Sequence, residues 1–139
     1  MTSIPLFSVL IPAYNAENTI VRCIESILRQ GTDNYEVVVV DDGSTDNTYS
    51  ILKKYDHKEC FRIIHQENHG VSYTRQELIR NANGKYILFC DADDFFEPNA
   101  IKTVANLITK YDNSTSVRID LFIFAYNIVR SSGKKKVSC

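Results

Sequence analysis

The sequence contains no apolar run near the ~20 residues that a membrane-spanning helix requires. Its longest oily stretches, around residues 37–40 and 121–126, have the length of strands. No basic segment followed by an apolar core opens the chain, so a cytoplasmic location is the expectation. The four cysteines, Cys23, Cys60, Cys90 and Cys139, form no CxxC pair and have no histidine at zinc-site spacing. They read as reduced thiols, three of them in or near the core. An excess of one charge is missing too: the net charge of −1 argues against a general nucleic-acid binder. The one basic run, Lys134–Lys135–Lys136, reads as a solvated tail. There is no repeat, no low-complexity segment and no linker.

What is present fits one domain spanning residues 1–139, with 44% apolar and 24% charged residues. Strand-like and helix-like stretches alternate along it. Residues 7–11 form an apolar run stopped by Pro12. Ile20, Ile24, Ile27 and Leu28 then recur at helical spacing, with Gly31 as the stop. Residues 35–40 are β-branched and almost continuously apolar, the mark of a strand buried on both faces. Thr48, Ile51, Leu52 and Tyr55 outline a second helix, capped by Ser44, Thr45 or Asp46. Residues 61–64 are a weaker strand. Val71, Leu78, Ile79 and Ala82 fit a third helix, ended near Gly84. Residues 86–90 predict another buried strand. Pro98 suits the first turn of a fourth helix, with Ile101, Val104, Ala105 and Ile108 on its inner face. Residues 121–126 predict a last strand. This alternation predicts an α/β fold: a mainly parallel sheet with helices on both faces.

In such sheets ligands bind beyond the carboxyl ends of the strands, where strand order reverses. Polar residues gather at those ends: "PAYNAE" (residues 12–17), "DDGSTD" (41–46) and "DADD" (91–94). If the first, second and fourth strands are neighbours, all three segments line one crevice. Each alone has a plainer role, Asn15 or Ser44 as a cap and Gly43 as a turn former. In "LFCDADDFFEP" (residues 88–98), Asp91 and Asp93 project to the same side of an extended segment. Two carboxylates converging there raise each other's pKa unless a cation intervenes. Oxygen-only ligands favour Mg²⁺ or Mn²⁺, which keep waters and share substrate phosphates. Asp94 or Glu97 can instead cap the following helix.

Spacing disposes of several rivals. A calcium loop starting at Asp91 needs glycine sixth and glutamate twelfth, where Phe96 and Lys102 stand. No GxGxxG follows the first strand, and no GxxxxGK[ST] occurs anywhere. A phosphohydrolase of the haloacid dehalogenase type carries its DxD after the first strand, trailed by small residues. Here the pair follows the fourth and is trailed by Asp94–Phe95–Phe96.

Four segments in order, "SVLIPAYNAENTIVRCIESILRQ", "YEVVVVDDGSTDNT", "ENHGVSYTR" and "NGKYILFCDADDFFEPNAI", resemble the amino-terminal half of family 2 glycosyltransferases. The likeness covers roughly residues 6–110. It implies a Rossmann-like GT-A nucleotide-binding core, incomplete on its C-terminal side. It also implies sugar transfer from a nucleotide-diphosphate donor, a UDP-sugar, to a carbohydrate or lipid-linked acceptor in polysaccharide synthesis. By resemblance, Pro12, Ala13 and Tyr14 lie against the base with Glu17 nearby, and Asp42 accepts from the uracil ring N–H. Gly70 and Arg75 fall where the chain crosses the nucleotide. Asp91 and Ala92 face the nucleotide, and Asp93, with Asp91, holds the divalent cation.

The chain departs from the family where A-R-N-x-G is common and Thr74–Arg75–Gln76–Glu77–Leu78 stands here. No residue matches the general base that deprotonates an acceptor hydroxyl, which is expected beyond Cys139. A cytoplasmic site at the inner face of the membrane, with peripheral association of the whole protein, also follows from the resemblance alone. The alternatives are a nucleotide- or metal-binding module without transfer and, more remotely, a DxD phosphohydrolase. His65 and His69 read as ordinary surface histidines.

Overall fold

The structure is a computed structural model that describes residues 4–114, 126–129 and 135–138. Its elements are β1 (Phe7–Ala13), α1 (Ile20–Leu28), β2 (Tyr35–Asp42), α2 (Thr48–Leu52), β3 (Phe61–Gln66), α3 (Val71–Arg80), β4 (Tyr86–Phe89), α4 (Ala100–Ser114), β5 (Tyr126–Val129) and β6 (Lys135–Ser138). They fall into two units, residues 1–105 and 106–139. In the first unit β3, β2, β1 and β4 form one sheet in that order, every pairing parallel. In the second, β5 and β6 pair antiparallel, Tyr126 opposite Ser138 and Val129 opposite Lys135.

Parity along the strands explains the layering, because successive side chains point to opposite faces. Leu10, Val38 and Val40 face α3 and cluster with its Leu78. Val9, Ile11, Val37 and Val39 occupy the other face and are as fully buried. Tyr35 shares that second parity, and its hydroxyl donates to the Ile27 carbonyl of α1 at 3.0 Å. Ile20, Cys23, Ile24 and Ile27 of α1 are all buried. Each such isoleucine contributes about 1.5–3 kcal/mol by leaving water. The helices therefore cover both faces of the sheet, as the alternation predicts.

Several boundaries differ, each for a physical reason. β1 continues through Pro12 to Ala13. The Leu10 carbonyl accepts from Cys90, so its backbone points toward β4. Pro12, two residues on, points the same way, but the β1–β4 pairing has ended at Leu10 and Phe89. Its missing N–H therefore costs no ladder bond. β2 likewise runs on into Asp41 and Asp42.

β4 stops at Phe89 and is not the buried strand expected: Ile87 and Phe89 are 41% and 43% exposed. Their partners Ser8 and Leu10 lie on the α3 face. That helix covers β1 and β2, and β4 is at the edge of the described sheet. In α3, Thr74 and Leu78 are buried while Val71 and Ile79 are exposed, so its buried stripe is narrower than expected.

α4 starts at Ala100 because Asn99, at φ +62°, breaks the helical path after Pro98. Ile101, Val104 and Ile108 are buried and Ala105 is half-buried. At α2 the boundary residue is Asn47, though Asp46 Oδ1 accepts from the Thr48 N–H at 2.9 Å. A short 3-10 turn, Lys53–Tyr55, continues that helix. Lys135 and Lys136 lie in β6 rather than in a tail, since a strand edge accepts lysine readily. The strand expected over residues 121–126 falls outside the described residues except for Tyr126, which opens β5. Cys23 and Cys90 are buried and Cys60 is half-buried, all as free thiols. Among the described residues no helix is long and apolar enough to cross a membrane.

Gly84 is not a helix stop but a point of close approach. Its N–H donates to Ser8 Oγ at 2.7 Å. A Cβ there would lie 2.4 Å from the Ser8 nitrogen and 2.5 Å from the Phe7 carbonyl carbon. Both are backbone atoms and cannot swing aside. Gly84→Ala is expected to destabilise the protein by about 1–3 kcal/mol, the usual range for forced overpacking. The midpoint of a urea titration checks this, and an unmoved midpoint would show that the β1–β4 junction gives way.

Candidate functional site

Because β2, β1 and β4 are neighbours, their carboxyl ends open onto one cleft of about 730 Å³. Pro12, Ala13 and Tyr14 line it after β1, Asp42 after β2, and Asp91, Ala92 and Asp93 after β4. Gly70 and Arg75 complete the wall from the start of α3. The strand-end segments are thus brought together. Glu17 is not among the lining residues: its Oε2 accepts from the Asn47 backbone and side-chain amides at 3.0 and 2.8 Å, bracing the start of α2.

The first two segments are latched to each other. Asn15, in the left-handed region at φ +47°, donates its N–H to Ser44 Oγ and accepts from the Thr45 N–H. Ala16 and Glu17 donate to Thr48 Oγ1 and Asp46 Oδ2. Asp41 is fully buried beneath this latch, held by the Ser44 hydroxyl and by His65 Nδ1 at 2.6 Å. His65 stacks on Tyr49 with ring centroids 4.2 Å apart, so it serves the wall rather than the cleft.

Asp42 does more than face the cleft. Its Oδ1 accepts from Gln66 Nε2 at 2.7 Å and from the His69 N–H at 2.9 Å. Its Oδ2 accepts from the Gly70 N–H at 2.8 Å. Gly70, at φ +85°, is in a region that suits glycine, and it turns the chain into α3. Burial pushes the Asp42 carboxyl up, but bonds from Gln66, His69, Gly70 and Thr74 outweigh it and hold it below the usual range.

Beyond β4, Arg75 Nη2 donates to Asp91 Oδ1 at 2.9 Å and Oδ2 at 3.3 Å. A cation from the protein itself thus offsets part of the crowding that the sequence raised. Asp94 shows the rest: burial first, then the Asp93 and Asp91 carboxylates push its pKa up, against a smaller pull from Arg22. The Cys23 hydrogen bond, and burial after it, push the Cys90 thiol up as well, so Cys90 is a protonated packing group.

The oxygens of Asp91 and Asp93 suit a hard divalent cation. Among the described residues no three His, Cys, Asp or Glu side chains converge into a ready cage. A cation held here would complete its shell from water and ligand oxygens, as Mg²⁺ commonly does.

Sequence reasoning missed Asn68 and Thr74, which also line the cleft. It also missed a polar seam on α1. Arg22 Nη2 donates to the Asp93 carbonyl at 2.8 Å, and Cys23 Sγ to that of Asp91 at 3.6 Å. Ser26 Oγ accepts from the Phe96 N–H at 3.0 Å. Gln30, just beyond the helix, donates to the Glu97 carbonyl at 3.0 Å and accepts from the Ile101 N–H at 2.9 Å. The available signal was the spacing of four between residues 22, 26 and 30.

The family described as "Glycosyl transferase family 2" matches residues 8–131. Chondroitin synthase of Escherichia coli is 44% identical over 100 residues, covering 71% of this chain and 15% of that protein. The crystal structure of S. aureus TarS 1-349 in complex with UDP-GlcNAc is similar at a TM-score of 0.72 and 30% identity, covering 86% of this chain and 38% of that one. Mannosyltransferase PcManGT from Pyrobaculum calidifontis, in complex with GDP-Man and Mn²⁺, is similar at 0.66 and 28% identity, covering 77% and 32%. The chain thus spans well under half the length of each. A match over residues 8–131, most of its length, shows that the chain belongs to glycosyl transferase family 2.

Proposed function

We propose that this chain is the donor-binding portion, in a single GT-A domain, of a metal-dependent glycosyltransferase. The donor is a UDP-sugar, and the acceptor is a carbohydrate or lipid-linked sugar in polysaccharide or glycoconjugate synthesis. The observation that carries this reading is the gathering of Asp42, Asp91 and Asp93 around one cleft. Tyr14, 52% exposed, offers a ring to a base. Asp42 Oδ2 accepts from the Gly70 N–H, and a carboxylate, which only accepts, suits the uracil N–H. Asp93 is the main cation ligand, with Asp91 shared between the cation and Arg75. Bound there, Mn²⁺ or Mg²⁺ supplies Lewis-acid stabilisation of the charge on the departing diphosphate. We place the whole protein in the cytoplasm, peripherally at the inner face of the membrane. TarS with UDP-GlcNAc and PcManGT with Mn²⁺ support the donor class and the cation.

UDP with Mn²⁺ is expected to raise the melting temperature by mass action, about 2.7 kcal/mol of stabilisation at a hundredfold excess over Kd. Calorimetry with and without chelator checks the cation: equal heats would overturn the metal bridge.

A second reading, a nucleotide-binding module without transfer, is favoured by one observation. Asp42 and Asp91 are already engaged by hydrogen-bond donors, and we assign none of the cleft carboxylates as general base. Mass analysis of acceptors incubated with UDP-sugars separates the two readings. Glycosylated product supports transfer; binding without product supports the module.

A further inference from the structure

We infer that the polar seam of α1 is a positioning device that sets the geometry of the cation-binding turn, with Arg22 and Ser26 as positioning residues. The inference rests on the donor-binding reading above. Residues 91–99 contain no helix or strand. They also carry Asp91, Asp93 and Asp94, whose charges oppose close approach. Within the turn itself, the Asp94 N–H donates to the Asp91 carbonyl at 2.9 Å. A segment so charged and so lightly tied would splay unless something outside it supplied order.

That order comes from α1. Residues 22 and 26 lie on one stripe, since side chains four apart share a helix face, and Gln30 follows just beyond the helix end. Each hydrogen-bonds the facing segment through that segment's backbone atoms. Backbone bonds fix the path of the chain without engaging the carboxylates of Asp91 and Asp93, two residues that line the cleft. Arg22 adds a second grip, its guanidinium 4.7 Å above the Phe95 ring. Gln30 is fully buried, and both ends of its amide are bonded. The rail is itself anchored, because Ile20, Ile24 and Ile27 bury the neighbouring face of the helix. A ligand that orders itself on Asp93 therefore meets a turn whose position is decided some distance away, on a helix that scarcely enters the cleft.

Arg22→Met and Ser26→Ala test this in the whole chain, with Arg29→Met as the control. Arg29 lies just past the end of α1 and pairs only with Glu25 among the described contacts. Hydrogen exchange is read for the amides of residues 93–97, and UDP affinity is read with Mn²⁺ and with chelator. One lost hydrogen bond should speed exchange in that segment roughly two- to tenfold. Mn²⁺-dependent affinity should weaken by a similar factor, while affinity under chelator, exchange in β1 and β2, and the Arg29→Met variant stay unchanged. Unaltered exchange at residues 93–97 in both variants would overturn the seam as the source of order. Faster exchange with unchanged Mn²⁺-dependent affinity would overturn its link to the cation. If the unsubstituted chain shows no Mn²⁺-dependent UDP binding, the donor-binding reading fails first and the cation link with it. The exchange result then still judges the seam alone.

Discussion

Asp93→Asn is expected to lower Mn²⁺-dependent affinity for UDP about ten- to a hundredfold, with little change in melting temperature. The size follows from losing a charged partner, roughly 1.5–3 kcal/mol. The small effect on folding follows from position: Asp93 is exposed, and the bond it makes to Arg22 runs through its backbone carbonyl, which asparagine keeps. Removing its charge also relieves the repulsion that raises the Asp94 pKa. Asp91→Asn should behave differently, because it breaks the pair with Arg75 as well. Calorimetry at matched ionic strength separates the two. If the fall for Asp93→Asn persists when metal is removed by chelator, its role as cation ligand is wrong.

Asp42→Asn is expected to cost stability before it alters base preference. The amide cannot accept from Gln66, His69 and Gly70 as both carboxylate oxygens do, and it turns an NH₂ toward N–H donors. Buried donors left unpaired cost about 1–3 kcal/mol each, so a fall of roughly 8–15 °C in melting temperature is expected. The pH dependence follows from the lowered carboxyl. A group that titrates lower when folded stabilises fully above its unfolded value, near pH 4 for aspartate, and less as pH falls through the folded one. The unsubstituted protein should therefore lose stability more steeply below about pH 4 than Asp42→Asn does. Thermal melts across acidic pH check this. An unchanged melting temperature would leave contact with a base as the residue's main role.

The parts of this site that were legible in sequence are those fixed by local periodicity. Continuous apolar runs marked β1 and β2, and the polar residues just past them had to sit at strand ends. That placed Asp42, Asp91 and Asp93 near one another on the condition that β1, β2 and β4 are neighbours, which the sheet order meets. The roles given to them came from family resemblance, not from the spacing. The bracing role of Glu17 was not legible because a carboxylate beside a crevice can equally hold a helix start thirty residues away at Asn47. The exposure of Ile87 and Phe89 was hidden because being an edge strand is a property of the sheet, not of the segment. Gly84 was misread because a helix stop and a backbone contact leave the same letter. The seam on α1 escaped because polar residues bordering an apolar stripe look like a solvated face.

The central position of β1 also has a consequence in time. β1 is made before either of its neighbours in the sheet, which begin at Tyr35 and Tyr86. At the roughly 5–20 residues per second of protein synthesis, β2 follows within seconds, whereas β4 emerges several seconds later still. Through that interval the β4-facing side of β1 is an open strand edge of valine, leucine and isoleucine, the kind of template on which nascent chains stick to one another. The same delay applies to ligand: Asp42 is in place long before Asp93 exists, so nothing that needs both can steady the sheet while it is being made.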